Sequence, residues 1–228
     1  MLEKPTALPV DFNQIPMDLK KIPRFLLWKY TLVGEEGTQR WAKTPYQPNG
    51  KWASSTNPDT WTDFLTAQQA YETGNFSGIG FVFTSDDNLV GIDIDDCRDI
   101  ESGELNDLAK NILDNVEGYC EVSPSGTGIK VFTRANLDTA YVNHEIGFEY
   151  YPKSRFFTVT GNYLRGSIPA EVQDLSAHVP ERTVKRSDDD FANYTPPVDG
   201  WDLLRVETEL LSMLSPDCGY DEIGRAHV

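Results

Sequence analysis

The chain has 228 residues, enough to bury a full core as one main domain with an appendage, and its 39% hydrophobic and 25% charged residues are ordinary for a soluble globular protein. No apolar run approaches bilayer-spanning length, and prolines interrupt Met1 to Val10 where a signal peptide needs an apolar stretch, so a cytoplasmic protein is expected. A formal net charge of −16 argues against a protein that coats nucleic acid by bulk attraction.

The distribution of charge carries more than its sum. Between Asp86 and Glu121 stand twelve acidic residues against Arg98 and Lys110, whereas between Lys20 and Lys51 seven basic residues face only Glu35 and Glu36. An enzyme gripping a polyanion through metal ions has this pattern, and so does a merely solvated acidic surface. Cys97, Cys120 and Cys218 include no close pair and no histidine at zinc-ligand spacing, so no structural zinc is expected. His144, His178 and His227 form no constellation in the sequence.

In chain order, Pro23 to Leu32 reads as a strand, rich in aromatic and aliphatic residues. Lys43 to Thr56, punctuated by Pro, Asn, Gly and Ser, reads as loop. A helix is predicted to start with Asn57 as N-cap and Pro58 in its first turn, with Trp61, Phe64, Leu65 and Tyr71 at helical spacing and Gly74 as terminator. Ile79 to Thr84 and Leu89 to Asp95 flank four turn residues, the signature of a hairpin. A second helix is predicted from Glu104 to about Asn115, with Leu105, Leu108, Ala109, Ile112 and Leu113 as its stripe. A strand over Tyr119 to Val122 leads through the loop Ser123 to Gly128 into a strand over Ile129 to Thr133. A further hairpin is predicted from Ile146 to Tyr151 and Arg155 to Thr160, turning at Pro152 to Ser154. Residues 1–180 therefore read as the main domain and 181–200 as a polar linker. Residues 201–228, with an amphipathic helix from Trp201 to Leu214, read as the start of a helical module.

Three stretches can carry chemistry. In Gly91-Ile92-Asp93-Ile94-Asp95-Asp96, a strand places Asp93 and Asp95 on one face and Ile92 and Ile94 on the other. Carboxylates held together repel unless a cation lies between them, and oxygen-only ligands suit Mg²⁺ or Mn²⁺; ordinary solvated residues at a strand end are the alternative. In Ser123-Pro124-Ser125-Gly126-Thr127-Gly128-Ile129-Lys130, a glycine turn between strands can offer backbone N–H groups to a phosphate, with Lys130 as the added point charge. A plain turn with a solvated lysine remains open. In Phe148-Glu149-Tyr150, Glu149 faces away from the two aromatics, free to pair with Arg155 or to act as a third carboxylate beside Asp93 and Asp95.

In their order these stretches resemble the archaeo-eukaryotic primase superfamily, and most closely its phage and plasmid primase-polymerase branch. Phe25 to Tyr30, Lys43-Thr44-Pro45 and Ala53 to Pro58 before Trp61 add to the resemblance, which covers about residues 20 to 165. It implies an α+β fold, two-lobed, with a mixed or antiparallel sheet core flanked by helices and an RRM-like catalytic centre. It also implies a template-dependent primase or polymerase. Asp93, Asp95 and Glu149 would hold two Mg²⁺ or Mn²⁺ ions roughly 3.5–4 Å apart. Ser125, Gly126, Gly128, Lys130 and Arg155 would bind the nucleotide. Many relatives carry histidine where this chain has Lys130, which can hold a phosphate but cannot titrate near neutral pH. Phe156 or Phe157 would pack on the sugar. The substrates implied are dNTP or NTP on a single-stranded DNA template. That template would be bound by Arg40, Lys43 and Lys51 with Trp41 or Trp52 stacking on bases. A helicase module in the same polypeptide and a bacterial or phage-infected host cell are further implications. Two other readings stand beside this one: a metal-dependent nuclease using the same carboxylates, and a non-catalytic replication protein that binds DNA and recruits a helicase.

Overall fold

The computed structural model describes residues 2–35, 37–176 and 178; the expected linker, the Trp201 to Leu214 helix and Cys218 lie outside them. The described residues have an α+β fold built on two antiparallel sheets. The first sheet runs in the order β2 (Arg40–Tyr46), β1 (Phe25–Val33), β3 (Gly78–Phe83), β9 (Arg155–Val159). The second runs β10 (Tyr163–Arg165), β5 (Tyr119–Val122), β6 (Ile129–Arg134), β4 (Leu89–Ile94), β8 (Phe148–Tyr151), β7 (Tyr141–Asn143). Three helices complete the fold: α1 (Met17–Lys20), α2 (Phe64–Glu72) and α3 (Asp107–Asn115). None of the described helices is long and apolar enough to cross a membrane.

Alternation along the strands sorts side chains into two main cores. Phe25, Leu27, Ile79, Phe81, Phe83, Phe157 and Val159 of the first sheet share one core with Leu89, Tyr119, Phe132 and Tyr151 of the second and with Phe64 and Ala67 of α2. Rings meet edge to face there, as in Phe83 against Phe157 at 5.0 Å and 90°; each such pair adds about 0.5–1.5 kcal/mol beyond burial. The opposite face of the second sheet buries Val90, Ile92, Ile94, Cys120, Ile129, Val131 and Phe148 against Ala109, Ile112 and Leu113 of α3. Cys97 and Cys120 are both buried and free, as small apolar residues.

Both expected hairpins are crossings between sheets. β3 is buried along its whole length between β1 and β9, and β4 lies between β6 and β8, so each strand has better partners than its sequence neighbour. The crossing after β3 is fastened by buried Arg24, which donates to Thr84 Oγ1 and Asp87 Oδ2 and lies over the Phe81 ring. The crossing from β8 to β9 turns at Ser154, with φ 58°.

Three further elements differ from expectation. Lys43 to Tyr46 is strand, not loop: β2 pairs with β1 from Leu27–Tyr46 to Val33–Arg40. Pro45 is tolerated because β2 is an edge strand, where a missing N–H breaks no ladder. Asn57 caps only a 3₁₀ turn over Pro58–Thr60, and α2 starts afresh with Asp63 as its own cap. Likewise α3 begins at Asp107, because the Asn106 side chain accepts from Ala109 N at 2.9 Å and so sets the start. The short elements α1, β7 and β10 carry too little periodicity to be read from sequence.

Candidate active site

One row of side chains crosses the inward face of the second sheet. Asp93 on β4 is the register partner of Lys130 on β6 and of Glu149 on β8, and Lys130 is in turn the partner of Glu121 on β5. Directly opposed residues in antiparallel strands share a face, so Glu121, Lys130, Asp93 and Glu149 stand side by side. Their neighbours Ile92, Ile94, Val131 and Phe148 point into the α3 core. Two residues further along the same face, Phe132, Gly91 and Tyr151 continue the row as core, so the charges sit at the end of an apolar seam. Glu149 lies on the same side as Asp93.

Asp95 follows the last ladder residue, and its N–H donates to Gly147 O at 2.8 Å. Glycine is required on both flanks: a Cβ at Gly128 would stand 2.7 Å from Ile94 O, and one at Gly147, where φ is +65°, would stand 2.9 Å from Asp95 O. The Asp95 side chain is exposed. Neighbouring protein and the Asp93 charge raise its pKa, while Lys130 and Lys43 oppose that rise.

The remaining members are held closely. Lys130, 3% exposed, donates to Asp93 Oδ2 and lies 4.6 Å from the Phe157 ring centroid. The other oxygen of that carboxylate, Asp93 Oδ1, is buried with no hydrogen-bond partner. Glu149 Oε2 accepts from Tyr151 O–H at 3.0 Å, and His144 Nδ1 lies 3.5 Å from Oε1. Burial and then the Asp93 charge push the Glu149 pKa up, with the Tyr151 bond and Arg155 opposing. Glu121 is fully buried and accepts from Thr160 N, Gly161 N and Tyr119 O–H, each at 2.8 Å. Burial pushes its pKa up to about 7, against those three bonds and the Lys130 charge.

The other expected site residues are distributed as follows. The Ser125–Gly128 loop is satisfied internally: Gly126 N donates to Ser123 O, Thr127 N to Ser125 Oγ and Gly128 N to Ser123 Oγ. It presents hydroxyls, with Ser125 exposed, where free amides were expected. Arg98 braces the loop from outside by donating to Gly126 O. The Arg155 guanidinium lies over the Tyr151 ring at 4.9 Å. Lys43 is not grouped with Arg40 and Lys51 alone, for its electrostatic neighbours are Lys130, Asp93, Asp95 and Arg155. Surrounding protein and Lys130 lower its pKa, an effect that the exposure of the side chain to solvent screens. Arg40 and Lys51 are exposed at the two ends of the β2 region, Trp52 is 49% exposed and Trp41 is half-buried. Phe157 is core beneath Lys130, and Phe156 packs against the small cluster of Leu26, Ala53 and Val82.

Glu121, His144 and Tyr151 were missed from sequence. A glutamate inside Tyr119-Cys120-Glu121-Val122 was the available signal for the first, since a strand so placed demands a buried partner for its acid.

No three Asp, Glu, His or Cys side chains among the described residues are gathered into a metal cage. The donor set nonetheless fits a hard divalent cation: all the candidate ligands are carboxylate oxygens at one sheet end, and one of them is buried and unpartnered.

By sequence similarity this α+β domain belongs with the phage primase-polymerases. The relative that establishes this is the DNA primase-polymerase of Nitratiruptor phage NrS-1, 33% identical over 165 residues, or 69% of this chain. The chain spans 22% of the length of that relative. No family model matches the chain.

Proposed function

We propose that this chain is the catalytic region of a template-dependent DNA primase-polymerase that joins nucleoside triphosphates on single-stranded DNA during phage or plasmid replication. The observation that carries the reading is the cross-strand pairing of Asp93 with Glu149, with Asp95 one turn of the pleat further along and Asp93 Oδ1 buried without a partner. In this reading Asp93, Asp95 and Glu149 hold Mg²⁺ or Mn²⁺. The ions, when bound, supply a lowered pKa for the attacking hydroxyl and charge neutralisation for the triphosphate.

The chain's own side chains do the rest. Tyr151 and His144 orient Glu149 through its two oxygens. Lys130, Lys43 and Arg155 bring positive charge to the side of the acids where a triphosphate would lie, and the hydroxyls of Ser125 and Thr127 can bond its oxygens. The buried seam of Phe83, Phe132 and Phe157 behind the row keeps water from its inner side and holds the strands in register, so positions are fixed before substrate arrives. The exposed cations Arg40 and Lys51 and the ring of Trp52 suit a single strand, by charge and by stacking.

The test is to incubate the protein with single-stranded DNA, labelled nucleotides and Mg²⁺ or Mn²⁺, beside Asp93→Asn/Asp95→Asn and Glu149→Gln. Metal-dependent products from the parent and none from the variants are expected. Shortening of the DNA without any triphosphate requirement would instead assign the carboxylates to a nuclease.

A further inference from the structure

Lys130 occupies an unusual position for a residue expected to meet a phosphate. It does not lie in the Ser/Gly loop but on β6, 3% exposed, between two acids of the same row. Of those two, Glu121 is already taken up by three donors, from Tyr119, Thr160 and Gly161. Asp93 has no such set. One of its oxygens bonds the Lys130 ammonium and the other has no partner at all. Burying a carboxylate without a counter-charge costs several kcal/mol, and the Lys130 ammonium supplies that counter-charge to Asp93.

We propose that Lys130 is a tethered counter-ion that competes with a divalent cation for Asp93. The proposal rests on the reading of Asp93 as a metal ligand and adds that the site guards that ligand with its own charge. A lysine suits this role, because its ammonium is a compact point charge on a flexible stem, able to leave one partner without the stem unpacking. The Phe157 face, 4.6 Å from the ammonium, supports it on the inner side, and the Lys43 charge in the same neighbourhood favours its release toward an arriving anion. Metal binding therefore requires Lys130 to yield, and a ligand that draws Lys130 away strengthens the hold of Asp93 on the metal.

The experiment is Mn²⁺ binding to the full chain without nucleotide, read from the free-ion electron paramagnetic resonance signal. Parent, Lys130→Met, Lys130→Arg and Asp93→Asn are compared, with thermal melts to show that each is folded. Lys130→Met is expected to bind Mn²⁺ more tightly by on the order of tenfold, the size of an ordinary coupling between two ligands. Lys130→Arg should remain near the parent, because charge is kept, and Asp93→Asn should lose the site. Binding by Lys130→Met no tighter than the parent, with Asp93→Asn still deficient, overturns the counter-ion alone. Equal binding by parent and Asp93→Asn overturns the metal reading beneath it. Should Lys130→Met not fold, the parent still decides: the ¹⁵N lysine-ammonium resonance missing from Lys130→Arg is expected to move as Mg²⁺ saturates. An unmoved resonance rejects the competition.

Discussion

Replacing Glu121 with glutamine isolates the electrostatic cost of building this row inside the protein. The carboxyl is fully buried, and burial raises its pKa from the ordinary 4.5 to about 7. In the window between those values the folded protein keeps a proton that the unfolded chain has released, so stability must fall as pH rises. At about 1.4 kcal/mol per pH unit, the Glu121 contribution falls by about 3 kcal/mol between pH 4.5 and 7, and changes little above. Glutamine faces the same three donors as a protonated glutamate, so it loses some hydrogen bonding at every pH but removes the titration. The assay is urea unfolding of parent and Glu121→Gln from pH 4.5 to 8.5. The difference between them should shift by about 3 kcal/mol in favour of the variant across the window. Parallel stability curves would refute the reasoning, for they would mean that Glu121 ionises as readily in the folded protein as in the unfolded chain.

Other perturbations have expected outcomes of their own. Gly91→Ala would put a Cβ 2.4 Å from Phe157 Cε2 and 2.6 Å from Phe83 Cε2 at the seam between the sheets. Such overpacking costs about 1–3 kcal/mol, and calorimetry should show the melting temperature falling by several degrees. Asp87→Ala leaves the buried Arg24 without its carboxylate and loosens the crossing from β3 to β4. A loss of about 3–5 kcal/mol in denaturant unfolding is expected, against nearly none for the exposed partner Glu104 of Lys110. Trp52→Ala should weaken single-stranded DNA binding by about 1–3 kcal/mol in fluorescence anisotropy, the value of one stacked base, with the salt slope unchanged.

What the sequence disclosed followed from short-range rules. Tyr119 to Val122 reads as the strand it is, and a strand beginning at Ile129 is found where expected, because Pro124, Gly126 and Gly128 leave the intervening loop no other form. The alternation of Ile92, Asp93 and Ile94, and of Phe148, Glu149 and Tyr150, fixed which face each acid takes. What alternation does not hold is which strands become neighbours. The turns at 85–88 and 152–154 are good turns in either case, but each joins one sheet to the other, a choice made by long-range partners such as β9 for β3. For the same reason the strand pattern could signal a buried acid at Glu121 but not its partners: the amides that hold it, Thr160 and Gly161, lie about forty residues on. Lys43 reads as loop because Pro45 outweighs its neighbours, although an edge strand accepts proline. Lys130 was expected to be open to phosphate, and only the pairing of β6 with β4 reveals the carboxylate that holds it.

The central claim is that acids brought together from β4 and β8 grip divalent cations at this end of the sheet. Its most direct measurement is an anomalous difference map from crystals grown with Mn²⁺ and a non-hydrolysable nucleoside triphosphate. Manganese peaks touching Asp93 and Glu149, with Asp95 turned inward to join them and Lys130 withdrawn, are the expected result. Manganese bound elsewhere, with Lys130 still seated on Asp93 beside an ordered triphosphate, would contradict the account.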